Sequence, residues 1–167
     1  MNINRIFKIV VPFILFSSFV FSENYKVEVG VESITEIENG KYNISVYIVN
    51  PYDPIAGIQF KIIPSTIFNV EEVSGGSSEN AGFQIHKNFK GTILGFSMTG
   101  NTIPPSRTNS GPGRLKDNIV LNIIATADKI PVNVMLDMEC VMASKKGESL
   151  KTEFIPFDLS NINIGKE

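Results

Sequence analysis

Apolar and polar residues take turns along most of this chain. Between Tyr25 and Ile34, Val27, Val29 and Val31 fall on one side, and Lys26, Glu28 and Glu32 on the other. That period of two marks a strand with one buried and one wet face. Glu38-Asn39-Gly40-Lys41 predicts a hairpin turn. In the strand that follows, Tyr42, Ile44, Val46 and Ile48 point inward, and Asn43, Ser45, Tyr47 and Val49 outward. The turn Asn50-Pro51-Tyr52-Asp53-Pro54 leads into Ile55–Ile63, the segment around which the rest is arranged. There Ala56, Ile58, Phe60 and Ile62 share one face, and Gly57, Gln59 and Lys61 the other.

Thr66 to Val73 reads as a short extended piece, and Ser74 to Asn80 as a loop by composition. Gly82–Lys87 and Gly91–Gly100 predict a strand pair around Asn88-Phe89-Lys90, with Leu94, Phe96 and Met98 inward and Ser97 and Thr99 outward. Asn101 to Asn118, with Pro104-Pro105 and Gly111-Pro112-Gly113, predicts a surface loop. Ile119–Ala127 is apolar on both faces, as in a strand covered on both sides. Val132–Met142 and Thr152–Leu159 complete the set, joined by the turn Ser144–Glu148. About nine strands at roughly 8–12-residue spacing, with no helical period, predict an all-β sandwich or barrel.

The first 22 residues stand apart. Arg5 and Lys8 precede an apolar run from Ile9 to Phe21, and Glu23-Asn24 turns polar at once. This is the layout of a secretory signal peptide. The run is about 13 residues, short of the roughly 20 that span a bilayer as a helix. An uncleaved N-terminal anchor is the alternative, and membrane contact is expected only through that segment. The expected divisions are a leader, 1–22, and one domain, 23–167, secreted to the extracellular space, the cell surface or the periplasm.

The full chain carries a net charge of −2. Removing the leader takes away two cations and leaves thirteen against seventeen acidic side chains, a net charge of −4. No basic field for nucleic acid exists. One cysteine, Cys140, cannot form an internal disulfide. It shares a strand face with Val132, Val134, Leu136 and Met138 and reads as a core residue.

Catalytic chemistry finds little support. The single histidine, His86, faces outward with Gln84 if Phe83 and Ile85 face in, and no local carboxylate orients it as a base. Asp137 and Glu139 lie about 6.5–7 Å apart along one strand face and, like Glu71 and Glu72, read as solvated charges rather than a glycosidase pair. One His and one Cys exclude the usual zinc sets. Asn50, Asp53, Asp117 and Asn118 could offer oxygens to calcium, but Asn and Asp in turns bond their own backbone. No cofactor is expected.

Three stretches carry a resemblance: Ile55-Ala56-Gly57-Ile58-Gln59-Phe60, then Gly76 to Phe83, then Leu94-Gly95-Phe96-Ser97-Met98-Thr99-Gly100-Asn101-Thr102-Ile103-Pro104. Their order resembles cohesin-type domains and the related carbohydrate-binding-module superfamily of bacterial extracellular proteins, from about Tyr25 to Leu159. The resemblance implies a single nine-stranded jelly-roll sandwich. It also implies that 55–63 lies mid-sheet, beside the strands at 92–99 and 119–126. Many cohesins follow that central strand with Tyr/Phe-Asp-Pro; here Ile63-Pro64-Ser65 stands instead.

The expected function is a non-catalytic binding or assembly module, with an extracellular protein as partner. Gln59, Lys61, Ser97, Thr99 and Asn122 are the candidate partner-binding positions. A carbohydrate-binding domain is the alternative, with Tyr47 and Tyr52 as the aromatics that a polysaccharide would stack on. A structural subunit of a surface layer or fibre is a third reading.

Overall fold

A computed structural model describes residues 25–106 and 118–162. The expected leader and most of the long loop, Asp117 included, lie outside the described residues. In chain order the elements are β1 (Val27–Glu38), β2 (Lys41–Val49), β3 (Ile55–Ile63), β4 (Asn69–Ser74) and a short helix α1 (Gly76–Asn80). Then come β5 (Gln84–Lys87), β6 (Thr92–Phe96), β7 (Ile119–Thr126), β8 (Met135–Ser144), β9 (Ser149–Leu150), β10 (Thr152–Ile155) and β11 (Phe157–Asp158). Discounting the two-residue β9 and β11, nine strands remain, as the turn spacing predicts.

The strands form two sheets, ordered β10-β1-β2-β7-β4 and β11-β8-β3-β6-β5, with β9 paired to β8. This is the jelly-roll sandwich. β1 and β10 run parallel; the other pairings among the described residues are antiparallel. Ile44, Val46, Leu121 and Ile123 on one sheet face Ile58, Phe60, Ile93 and Leu136 on the other, all fully or nearly fully buried. Burying side chains of this size stabilises the fold by about 1.5–3 kcal/mol each relative to exposure.

β-Bulges keep these faces in phase. In β1 the inward residues are Val27, Val29, Val31 and then Ile34, and the register against β2 shifts between Val31 and Ser33. One extra residue there returns the apolar set to the core. The same device operates in β3, whose register against β8 shifts between Ile55 and Gly57. Ile55 is therefore fully buried and Ala56 only half-buried, where strict alternation put Ala56 inside.

Four expectations need correction. β3 is central and pairs with β6 as expected, but its second neighbour is β8; β7 lies in the opposite sheet. The strand in the 91–100 stretch is inverted: Ile93 and Gly95 face the core, and Leu94 is exposed with Met98 beyond it. Gly95 is the reason. A β-carbon there would lie 2.7 Å from Ile85 Cδ1 and 2.9 Å from Ile58 Cγ1, so those isoleucines fill the space that an inward side chain would take. Phe96 is half-buried rather than core.

The 74–80 segment contains a helix where only a loop was expected. Gly76 has φ 66°, and a β-carbon on it would meet the Val120 backbone at 2.5 Å. The glycines that made the segment look like a loop allow the turn to press onto β7. Finally, Val132 precedes β8 and is exposed instead of sharing the face of Leu136 and Met138.

Candidate functional site

The two sheets present different outer faces. On the β1-containing sheet, Tyr47 turns back over Gly30, directly opposite it on β1. A β-carbon on Gly30 would sit 2.5 Å from the Tyr47 ring, so only glycine leaves room for the ring to lie flat. The Tyr47 hydroxyl donates to Glu28 Oε1 at 3.0 Å, and the side chain is 5% exposed. Burial first, then the Glu28 carboxylate, pushes the phenol well above its ordinary range. Tyr47 is thus no exposed sugar platform, which corrects the expectation of an accessible ring. Alternation placed it on the outer face, and Gly30 opened a seat there.

Asn122 belongs to this same covered face. It lies on β7, where its Oδ1 accepts from Ser45 Oγ at 2.8 Å. It is therefore separated by the whole sandwich from Gln59 and Lys61 on β3, and the five candidate partner-binding positions do not form one surface.

The outer face of the other sheet is open. Cross-strand register sets Val141, Gln59, Leu94 and His86 in one row across β8, β3, β6 and β5. The next row holds Ala143, Gly57, Phe96 and Gln84. Val141 is 50% exposed and Leu94 44%. The His86 ring lies 6.2 Å from the Phe96 ring, tilted by 35°. Gly57 in the middle leaves a shallow, side-chain-free strip between Ala143 and Phe96. On the opposite flank, Lys61 and Glu139 face each other at 3.8 Å, both solvated; such pairs contribute at most about 1 kcal/mol. The result is an open surface on which exposed Val141 and Leu94 and half-buried Phe96 stand among polar Gln59, Gln84 and His86.

Ser97 and Thr99 follow this sheet rather than facing out from it. Ser97 Oγ accepts from Thr99 N at 3.3 Å and Asn101 N at 3.2 Å, and lies 3.0 Å from Thr99 Oγ1. Both hydroxyls shape the turn after β6, on which Met98 stands exposed. Sequence reasoning missed Leu94, Phe96 and Val141 as surface residues. The available signal was Gly95, whose missing side chain suits the inner side where Ile58 and Ile85 crowd it.

The remaining candidates sit apart. Tyr52 is exposed but stands edge-on to Tyr25, with centroids 4.6 Å apart. Asn50 is fully buried and works as a clasp. It accepts from the Tyr25 hydroxyl and donates through Nδ2 to the Asp53 carbonyl. Its backbone N donates to Ser106 Oγ at 2.7 Å, and its carbonyl accepts from Ser106 N at 2.8 Å. Its oxygens are committed to the turn. Asn118 is buried as well, and among the described residues no cluster of three metal-type side chains occurs.

His86 is exposed beside Leu94 and Phe96, with no carboxylate bonded to it among the described residues. Burial, reinforced by Asp137, pushes the Cys140 thiol up to about 12, and its Sγ donates to the Met138 carbonyl at 3.3 Å; a thiol held protonated is a poor nucleophile. Asp137 accepts from Met138 N at 2.6 Å, Glu139 faces Lys61, Glu71 pairs with Lys41 at 3.7 Å, and Glu72 is exposed.

Solved structures share this arrangement. A chain of the Coh-OlpA–Doc918 complex, a type I cohesin–dockerin complex from Clostridium thermocellum, superposes with TM-score 0.54 at 18% identity, over 79% of this chain and 96% of that one. CaCohA2 from Clostridium acetobutylicum gives TM-score 0.52 at 15% identity, over 84% and 90%. A non-cellulosomal cohesin from the archaeon Archaeoglobus fulgidus gives 0.53 at 15%, over 79% and 88%. The fold is cohesin-like. No protein-family model matches the chain, and neither does any curated protein. The cohesin-like fold spans both sheets and nearly the full length of these neighbours.

Proposed function

We propose that this protein is a secreted, non-catalytic docking module that binds another protein through the outer face of β8, β3, β6 and β5. One observation carries the reading: Val141 and Leu94 flank Gln59 in one row and Phe96 lies in the next, so three apolar side chains stand on the outer face of a sheet whose central strand buries Ile55, Ile58, Phe60 and Ile62. Exposed apolar area rimmed by polar groups marks a place where a partner completes the burial. The neighbouring structures support the kind of partner. The Coh-OlpA chain is in complex with Doc918, and CaCohA2 with CaDoc0917. A dockerin-type domain on a secreted protein is the partner class proposed here. The apolar leader at 1–22, followed by one domain at 23–167, supports export.

Gln59 and Lys61 stay in the proposed interface; Ser97 and Thr99 border it. Binding to a panel of dockerin-bearing proteins, read by calorimetry, tests this. One of them should bind, and Leu94→Asp and Val141→Glu should each weaken it by about 30-fold or more, the mark of an interface hot spot. Tyr52→Ala should leave it unchanged. Binding that survives both substitutions, or a panel without a single binder, would refute the reading.

A further inference from the structure

The tip of the β5–β6 hairpin carries Phe89, 92% exposed, the most exposed large apolar residue described. The exposure is built in. Asn88 Oδ1 accepts from Lys90 N at 2.9 Å and Thr92 N at 3.0 Å, and Asn88 N donates to the Thr92 carbonyl at 3.0 Å. These bonds hold the tip rigid and the ring outward. Lys90 Nζ stands 5.6 Å from the ring centroid, so cation and aromatic face form one feature.

Beside the ring opens a cleft of about 370 Å³, at the small end of ligand sites. Its polar lining is Lys61, Ser65, Thr66, Asn69 and Lys90; its apolar lining includes the buried Phe68 and Val70. Ser65, Thr66 and Asn69 line it without a side-chain hydrogen bond among the described residues. No carboxylate lines it, although acidic side chains outnumber basic ones in the chain.

The geometry points to a second binding site here, for an acidic polysaccharide of the uronic-acid class. Each part matches one property of that ligand. The Phe89 face packs against the C–H face of a pyranose ring. The Lys90 ammonium meets its carboxylate, with Lys61, paired to Glu139, beside it in the lining, and the Ser65, Thr66 and Asn69 side chains meet its hydroxyls. The volume admits a short stretch of chain. Phe89, Ser65, Thr66, Asn69 and Lys90 lie outside the proposed protein-docking face and Lys61 borders both, so the two sites are separable by mutation at the other five.

Affinity electrophoresis in gels containing polygalacturonate tests this, with neutral galactan gels and vesicles of phosphatidylcholine and phosphatidylglycerol as parallel arms. Polygalacturonate should retard the chain at low salt, and the retardation should fall steeply as salt screens the lysines. Phe89→Ala and Lys90→Glu should each weaken it about tenfold with unchanged melting temperature, while Phe89→Tyr and Val141→Glu should leave it intact. No retardation, equal retardation by neutral galactan, preference for the vesicles, or indifference to both Phe89→Ala and Lys90→Glu would each overturn the proposal.

Discussion

The two outer faces of the sandwich come from the same alternating pattern and end in opposite states. On the β1-containing sheet the outward positions are consumed internally. Tyr47 lies over Gly30 and bonds Glu28, Ser45 bonds Asn122, and α1 presses onto the Val120 backbone. On the β3-containing sheet the outward positions Val141, Leu94 and His86 meet nothing among the described residues that covers them. A face that closes on itself adds stability; a face left open costs some and keeps area for a partner. Outward residues should therefore divide by sheet: those of the first act on folding, those of the second on binding.

The strongest test of that division is Tyr47→Ala. Removing a buried aromatic ring should destabilise by about 3 kcal/mol, read from the urea midpoint, with partner binding unaffected once the protein is folded. Should this change prove harmless, the closed face is not closed. Tyr47→Phe is milder, about 1 kcal/mol at neutral pH for the lost hydroxyl bond.

It also carries a pH signature. The Tyr47 phenol is raised above the ordinary value of 10.0, chiefly by burial. Its contribution is fully present below pH 10 and is lost as pH rises, because the unfolded phenol ionises first. Tyr47→Phe should flatten part of the alkaline loss of stability above pH 10. Tyr25 and Tyr42, also raised mainly by burial, add to that loss. Smallest of all, Lys61→Ala on the open face should change stability by less than about 0.5 kcal/mol, because its Glu139 partner is solvated. A larger loss would mean that this face is also folding-critical.

Much of this molecule was readable before any coordinates. Alternation located β1, β2, β3, β7 and all but the end of β8, and the three glycine-bearing stretches resembled the cohesin-like fold that the superpositions show. The errors share a cause. A one-residue slip exchanges the two faces of a strand, so Leu94 and Phe96 were placed inside when Gly95 held that side. Tyr47 was placed outside correctly by phase and wrongly by burial, because its cover comes from Gly30, 17 positions earlier in the chain. The α1 helix was hidden by the glycines that make its contact possible. Of the candidate site, Gln59 and Lys61 were legible from β3 alone; their apolar companions on β8 and β6 were not.

Local alternation and turn chemistry were enough to specify many short strands and one apolar interior, because those features depend on neighbours within a few residues. Which strands sit side by side, which outward face gets covered and which stays bare depend on distant segments meeting. Gly30 receives Tyr47, and Val120 receives Gly76, only after β1, β2, β7 and α1 have been brought together in space. No pattern along the chain encodes those meetings, since a pleat looks the same from either side until another part of the molecule lies against it.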